Sequence, residues 1–258
     1  MQVDLQNKIA IVTGAAQGIG KAIAEALSRN GAIVVLSDIQ AEKGQSTAAE
    51  LDRAEFVACD VSDAAQVRAL VQGVVERHGR LDIMVNNAGI NTGRPEDRVT
   101  IERYSDEIWH RILNVDLNGV FYCCKAAAAQ MVKQESGNIV NIASIAGVTP
   151  LRLQIGFVAA KAAVIRMTEA MACELGPSGI RVNAVSPGST LVQGTKQLFY
   201  NNKEMAERLI SFIPQRRPGE TNEIADAVLY LVSDAAAYVN GHNLIVDGGW
   251  TCGFSRDF

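Results

Sequence analysis

Short apolar runs and longer amphipathic segments alternate along almost the whole chain. The runs are rich in Val, Ile and Ala and lead into turn residues such as glycine, which is typical of buried strands. The segments between them carry apolar residues at helical spacing, and the longest predicted helix covers DEIWHRILNVDLNGVFYCCKAAAAQMVKQ. The pattern predicts seven strands, which are KIAIVTG, AIVVLSD, AEFVACD, LDIMVNNAG, GNIVNIAS, IRVNAVSPG and NLIVDGG.

Strands that are apolar at nearly every position are buried on both faces, as in a parallel sheet covered by helices. The repetition of strand and helix therefore predicts an α/β fold of the Rossmann type, a doubly wound parallel seven-stranded sheet flanked by helices. No linker interrupts the pattern, so we expect residues 1–258 to form a single domain. Two stretches without this rhythm, about 90–105 and 188–218, leave from strand ends and are expected to be substrate loops.

The composition narrows the class of protein. It contains 48% hydrophobic and 20% charged residues, which is typical of a soluble globular chain. The net charge of −4 argues against a nucleic-acid partner, and no apolar run is long enough to span a bilayer. The first residues lack the pattern of an export signal, so we expect a cytoplasmic location. Five unevenly spaced cysteines are interpreted as reduced thiols, and three scattered histidines predict no metal site.

The segment TGAAQGIG follows the first predicted strand and opens the first predicted helix. Glycines here allow a tight turn and let the backbone approach a pyrophosphate, while the helix N-terminus offers free N–H groups. Asp38 ends the second strand about 20 residues further on, where a carboxylate can accept hydrogen bonds from the adenosine ribose. These features predict a dinucleotide site, whose turn consists of Gly14, Gln17, Gly18, Ile19 and Gly20.

The charge of Asp38 also predicts NAD rather than NADP as the cofactor, because it would repel a 2′-phosphate. No basic residue adjoins Asp38 in sequence and Gln17 is neutral, so no compensating base is expected nearby. The alternatives are that the glycines only form a turn and that Asp38 only caps the next helix.

Further motifs, in the same order along essentially the whole chain, resemble those of the short-chain dehydrogenase/reductase family. They are the glycine turn, NNAG after the fourth strand, a serine in IASIAG, a lysine in FVAAK, and SPGST after the sixth strand. The resemblance implies an oxidoreductase that moves hydride between NAD and a secondary alcohol and works as a homotetramer. It assigns further cofactor contacts to Asp60, Val61, Asn87, Ala88, Gly89, Lys161, Pro187, Gly188 and Thr190.

The same resemblance assigns catalytic positions to Asn114, Ser144 and Lys161, and places Phe157 where the family has its catalytic tyrosine. Ser144 would orient the substrate oxygen, and Asn114 would interrupt its helix and hold a water linked to Lys161. Lys161 would bind the nicotinamide ribose and lower the pKa of a phenol at position 157. Taken singly, Asn114 could be an ordinary polar residue, Ser144 a strand-end cap and Lys161 a solvated lysine.

Phe157 is the departure from the family pattern. Phenylalanine lacks only the oxygen of tyrosine, so it keeps the shape of the pocket and removes the proton relay. Because every other motif is intact, our hypothesis is that Phe157 is an introduced substitution in a complete dehydrogenase, a Tyr-to-Phe inactivated form. The alternative is a natural protein that binds NAD on the same fold in a non-catalytic, regulatory role.

Basic residues near the expected substrate site favour a small polar substrate. This class includes anionic substrates, because arginine can bind a carboxylate through two of its nitrogens. Arg94, Arg98, Arg152 and Lys196 are the candidates, together with the hydroxyl of Ser144. Each basic residue could equally be a solvated loop charge. The chain is similar overall to sugar, polyol and sugar-acid dehydrogenases, with a 2-keto-3-deoxy-fuconate or -rhamnonate 4-dehydrogenase as one example. A reductase of another ketone, such as a 3-oxoacyl thioester, is the alternative.

Overall fold

A computed structural model describes residues 1–91, 95–192, 195 and 200–253. Two expected substrate residues, Arg94 and Lys196, lie outside the described residues. Within the described part, seven parallel strands form one sheet in the order β3-β2-β1-β4-β5-β6-β7, which confirms the predicted fold class. The strands are β1 (Ile9–Thr13), β2 (Ile33–Asp38), β3 (Ala54–Ala58), β4 (Ile83–Asn86), β5 (Gly137–Ile142), β6 (Ile180–Pro187) and β7 (Asn243–Val246).

Helices cover both faces of the sheet, and none of those described has the length and apolarity needed to cross a membrane. They are α1 (Gly18–Arg29), α2 (Ala41–Ala49), α3 (Ala64–His78), α4 (Asp106–Leu113), α5 (Val120–Gln134), α6 (Ile155–Leu175), α7 (Lys203–Ser211) and α8 (Thr221–Val232). Side chains alternate between the two faces of a strand. In β1, Ala10 and Val12 join a buried cluster with α1 and α8, while Ile9 and Ile11 join a second cluster with α3, α5 and α6.

The long helix predicted before β5 is divided in the structure. α4 ends at Leu113, a π-helical turn covers Asn114–Gly119, and α5 begins at Val120. A π-turn inserts an extra residue into a helix and is frequent at functional sites. A Cβ on Gly119 would lie 2.8 Å from Cγ2 of Val61, so this turn packs against the segment that follows β3.

The sheet order opens a crevice between β1 and β4. These two strands are neighbours, but β1 leads on to β2 on one side whereas β4 leads on to β5 on the other. The connections after β1 and β4 therefore diverge at the carboxyl ends of the strands, where ligands bind in sheets of this kind.

Candidate active site

The turn after β1 depends on three glycines. Gly14 and Gly18 have φ angles of 63° and 61°, a left-handed conformation that side chains disfavour. A Cβ on Gly14 would lie 2.8 Å from Cα of Ala88, and one on Gly20 would lie 2.2 Å from the carbonyl oxygen of Gly14. The turn is therefore packed directly against the chain after β4, and a larger residue at these positions would force the two apart.

Asn87 joins the ends of β1 and β4. Its side-chain amide donates hydrogen bonds of 3.0 Å to the carbonyl oxygens of Thr13 and Gly14. The hydroxyl of Thr13 in turn accepts bonds of 3.1 Å from the backbone N–H groups of Asn87 and Ala88. In this structure the side chain of Asn87 supports the glycine turn, and its contribution to the crevice is to hold that turn in place.

The N-terminus of α1 is open to the crevice. Gln17 occupies the N-cap position without a side-chain hydrogen bond to the helix, and the first turn carries no acidic residue. The first N–H groups of a helix have no partner within it, and the helix dipole makes this end positive. Gly18 and Ile19, at the start of α1, line the crevice. This end of the helix can therefore receive a phosphate group.

A cavity of about 630 Å³ lies in the crevice. Its walls include ten of the predicted cofactor residues: Gly14, Gln17, Gly18, Ile19, Asp38, Asp60, Val61, Asn87, Ala88 and Gly89. They also include Ile39, Gln40, Lys43, Cys59, Ile90, Val115 and Val192, which the sequence analysis did not assign to the site. Ile39, Cys59, Ile90 and Val115 directly adjoin predicted residues in sequence, and Gln40 and Val192 lie two positions from one. Lys43 has no predicted residue near it in sequence.

Asp38 makes the contact with the start of α2 that the sequence left open, and its role towards a ribose stays a prediction. It is buried at the end of β2 and lines the cavity. One carboxylate oxygen accepts a hydrogen bond of 3.1 Å from the N–H of Ala16, and the other accepts one of 2.9 Å from the N–H of Gln40, the N-cap residue of α2. The carboxylate thus ties the glycine turn to the start of α2, and its position in the wall leaves it within the reach of a ligand.

Lys43 corrects the expectation that no base lies near Asp38. It is the third residue of α2, lines the same cavity and donates a hydrogen bond to the side-chain oxygen of Gln17. The chain neighbours of Asp38 include no base, but α2 brings Lys43 back over the glycine turn. This end of the cavity therefore holds the ammonium group of Lys43 as well as the carboxylate of Asp38.

Asp60 and Val61, which follow β3, lie at the same end of the cavity. The carboxylate of Asp60 accepts hydrogen bonds from the N–H of Ser62 at 2.9 Å and from its hydroxyl at 2.7 Å. These bonds fix the turn after β3 and leave Asp60 and Val61 in the cavity wall.

The SPGST segment lies beside the cavity, and Pro187, Gly188 and Thr190 are not among its wall residues. Gly188 donates a backbone hydrogen bond of 2.9 Å to Val246 of β7, and buried Thr190 forms an isolated bridge with Gly219. The segment reaches the cavity two residues later, at Val192, which lies next to Gly18.

Lys161 is buried in α6, which contradicts the alternative of a solvated lysine. Its Nζ donates a hydrogen bond of 3.1 Å to the carbonyl oxygen of Ile142, the last residue of β5. It lies 5.6 Å from the ring centroid of Phe157, one turn earlier in α6, which is a cation–π contact. The expected pairing of positions 157 and 161 on one helix face is therefore present, with a phenyl ring in place of a phenol.

Asp116, in the π-helical turn, is the counter-ion of Lys161. One carboxylate oxygen lies 3.2 Å from Nζ of Lys161, and the other accepts a hydrogen bond of 2.7 Å from the N–H of Ile90. Burial raises the pKa of the Asp116 carboxyl, and the charge of Lys161 and the Ile90 N–H oppose that rise. A Cβ on Gly89 would lie 3.0 Å from Asp116 Oδ2 and 3.3 Å from Lys161 Nζ, so the ion pair lies directly behind the cavity wall.

Asn114, expected to hold a water linked to Lys161, lies in the same π-helical turn, and that role stays a prediction. Asn114 begins the π-helical turn, as the predicted interruption required, but its side chain is exposed and accepts a hydrogen bond of 3.0 Å from Asn118. Residues two positions apart lie on different faces of a helix. Since Asp116 faces Lys161, the side chain of Asn114 points elsewhere.

Ser144 follows β5 and caps the short helical turn Ile145–Gly147, where its hydroxyl oxygen accepts a 3.1 Å bond from the N–H of Ala146. The strand-end cap that the sequence left open is therefore present. A Cβ on Gly147 would lie 2.7 Å from the carbonyl carbon of Lys161, so this turn packs tightly on α6. The contact brings the Ser144 segment beside the helix that carries Phe157 and Lys161, which leaves a catalytic role open to its hydroxyl.

Tyr104 is a phenol near Phe157 that sequence distance concealed. It follows the turn Ile101–Arg103, and a Cβ on Gly156 would lie 3.0 Å from its hydroxyl oxygen. Burial raises the pKa of this phenol, which is only partly opposed by the N–H of Gly156 at the start of α6. Only tertiary packing, which no local pattern predicts, brings these positions together.

The basic substrate candidates remain predictions. Arg152 is exposed on the turn between Ser144 and α6, and it is not among the cavity wall residues. Arg98, in the loop after β4, is partly buried, and this burial lowers the pKa of its guanidinium. No group of three or more potential metal-ligating side chains occurs in the described ranges.

Comparison with known proteins places this arrangement among enzymes. Residues 14–251 match the family described as enoyl-(acyl carrier protein) reductase. A 3-oxoacyl-[acyl-carrier-protein] reductase FabG of Thermotoga maritima is 37% identical over 249 residues, which cover 95% of this chain and 98% of the relative. A D-threitol dehydrogenase of Mycolicibacterium smegmatis is 38% identical over 251 residues, which cover 96% of this chain and 94% of the relative.

The solved structures that resemble this chain include that of levodione reductase. The two share 34% sequence identity with a TM-score of 0.90, and the match covers 96% of this chain and 99% of the other. The similarity therefore extends over the whole sheet and both layers of helices.

Proposed function

Because the chain belongs to the short-chain dehydrogenase/reductase family of oxidoreductases, we propose that it binds NAD and is built to transfer hydride between the nicotinamide and a secondary alcohol of a small polar substrate. The observation that carries this proposal is the continuous arrangement from the glycine turn and Asp38, along the cavity, to Lys161 behind Gly89. A dinucleotide needs both ends of such a crevice, one for adenosine and one for the reacting ring.

The residues of the cavity fit a dinucleotide. Gly14 and Gly18 line the cavity in left-handed conformations that side chains disfavour, and the first turn of α1 offers free N–H groups to a pyrophosphate. The Asp38 carboxylate supports NAD, since it can accept hydrogen bonds from ribose hydroxyls and repels a 2′-phosphate. Lys43 weakens this preference, because an ammonium group at the same end attracts a phosphate.

The catalytic half has a clear division of roles in this proposal. Bound NAD supplies the hydride acceptor. Lys161, held by Ile142 and Asp116, presents a fixed positive charge behind Gly89. The Ser144 hydroxyl would bind the substrate oxygen. Phe157 has no proton to give or take, and loss of general acid–base catalysis costs about 10²–10⁴-fold in rate. The chain should therefore bind its ligands well and turn over slowly.

The proposed substrate is a polyol, sugar or sugar acid. The similarity to a D-threitol dehydrogenase supports a small hydroxylated substrate, and the basic candidates Arg94, Arg152 and Lys196 support an anionic member of this class. The similarity to a 3-oxoacyl-[acyl-carrier-protein] reductase supports reduction of a 3-oxoacyl thioester as the second candidate. Phe157 itself supports the third, a protein that binds NAD and its ligand without catalysis. We also propose a cytoplasmic location and a homotetrameric assembly, and sedimentation velocity would test the assembly.

The decisive experiment compares the chain with its Phe157→Tyr variant. Both are assayed for NAD⁺ reduction over a panel of polyols, sugars and sugar acids, and for NADH oxidation with a 3-oxoacyl thioester. We expect the variant to be at least about 10²-fold faster with one member, because the phenol restores the proton relay. NAD⁺ binding without any gain in rate, measured by calorimetry, would contradict the enzymatic function and favour the binding protein.

A further inference from the structure

The pair of Asp116 and Lys161 differs from the other described ion pairs. Both of its side chains are buried, with 0% and 5% of their surfaces exposed, whereas every other described pair has at least one exposed or half-buried partner. Burying two charges is costly, and replacing such a pair by apolar residues is often neutral or stabilising. Stability alone therefore gives little reason for this pair, and its position beside Phe157 points to a role in the site.

The charge balance around Lys161 depends on what stands at position 157. A lone ammonium group beside a phenolate forms a neutral pair, so it favours ionisation of the phenol. With the Asp116 carboxylate 3.2 Å from the ammonium, the two are already neutral together. Ionising a phenol at 157 would then create a net negative charge in a buried site, which is unfavourable.

We infer that Asp116 is a positioning residue that takes the electrostatic place of a phenolate, so that Lys161 is paired in a chain whose residue 157 cannot ionise. Asp116 then supplies the negative charge beside Lys161 that Phe157 cannot supply. This inference rests on the proposed function only in taking position 157 as the site of proton transfer. It follows that Lys161 does not strongly lower the pKa of a tyrosine introduced at 157 in this chain, and that Asp116→Asn allows Lys161 to lower it.

Other groups around the pair contribute little charge. The loop before α4 contributes Tyr104, which lies near Asp97 and Arg111, and α4 itself carries exposed His110. α5 contributes the buried thiols of Cys123 and Cys124, whose raised pKa values keep them neutral. The turn after β5 contributes the Ser144 hydroxyl, and α6 the ammonium of Lys161. Lys161 is the charged side chain that acts on the Asp116 carboxyl.

The test is a spectrophotometric titration of the added tyrosine. Four proteins are used: the chain itself, Asp116→Asn, Phe157→Tyr and the double variant. Subtracting each parent with phenylalanine at 157 removes the signal of the five tyrosines already present, Tyr104 included. We expect the added phenol to ionise near or above pH 10 beside Asp116, and about one pH unit or more lower when asparagine replaces it. Equal ionisation in both backgrounds would overturn the inference.

Turnover separates this inference from the proposed function. The double variant should show about tenfold more activity near neutral pH than Phe157→Tyr, with its pH profile moved to lower pH by the same amount. Turnover by Phe157→Tyr with a strongly lowered phenol pKa would support the function and overturn the inference. A phenol pKa that falls when asparagine replaces Asp116, without turnover by either tyrosine variant, would support the inference and contradict the proposed function. If Asp116→Asn does not fold, the Phe157→Tyr titration still decides, because ionisation below about pH 9 beside Asp116 overturns the inference.

Discussion

The two halves of the crevice are built in different ways. The half proposed for the cofactor is built mainly from backbone: the left-handed glycines Gly14 and Gly18 and the open start of α1, which side-chain bonds from Asn87 hold against β4. The catalytic half is made of side chains from separate elements, with the ion pair of Asp116 and Lys161 at its centre. Binding can therefore persist when the chemistry of the second half changes, and in the proposed function Phe157 is such a change.

The largest expected effect tests how far the catalytic half depends on its ion pair. Lys161→Met should lower the free energy of unfolding by about 3–5 kcal/mol, because it leaves the Asp116 carboxylate buried without a partner. Urea denaturation at neutral pH measures this loss. Lys203→Met, at a lysine whose side chain is 91% exposed, is the matched control and should change little.

The loss should depend on pH in a defined direction. Burial raises the folded-state pKa of Asp116, so in Lys161→Met the neutral carboxyl is compatible with folding and the ionised one is not. Below the unfolded value of about 3.9 the penalty should be absent, and it should grow as pH rises through the folded pKa. Adding Asp116→Asn should remove this pH dependence. A loss that is the same at every pH would show that packing, not charge, is responsible.

The next effect concerns the cofactor half. Gly14→Ala should weaken NAD⁺ binding by about 10²-fold, because the added methyl group would lie 2.8 Å from Cα of Ala88 and push the turn away from β4. Gly79→Ala is the matched control, since Gly79 has a φ of 77° but no atom within 4 Å of its Cβ position. Both variants carry the backbone strain, and calorimetry should find lost affinity only in the first. Equal affinities would contradict the close packing of this turn.

What the sequence predicts differs between the halves for a physical reason. The sheet and the glycine turn follow from local periodicity and from conformations that glycine favours, and both are properties of neighbouring residues. Asp116, Lys43 and Tyr104, by contrast, contact residues of other elements that are distant in sequence. The phase of the π-helical turn decides that Asp116 rather than Asn114 faces Lys161. The return of α2 places Lys43 at the cavity, and no local pattern encodes either contact.

The smallest expected effect concerns the choice between NAD and NADP, where the cofactor half does depend on side-chain charge. Asp38→Asn should raise the affinity for NADPH relative to NADH about tenfold, because it removes a charge that repels the 2′-phosphate. Lys43→Met added to this variant should reverse most of the gain, since Lys43 lines the same end of the cavity. Fluorescence titration gives both affinities. An unchanged ratio in Asp38→Asn would mean that the charge of Asp38 does not select the cofactor.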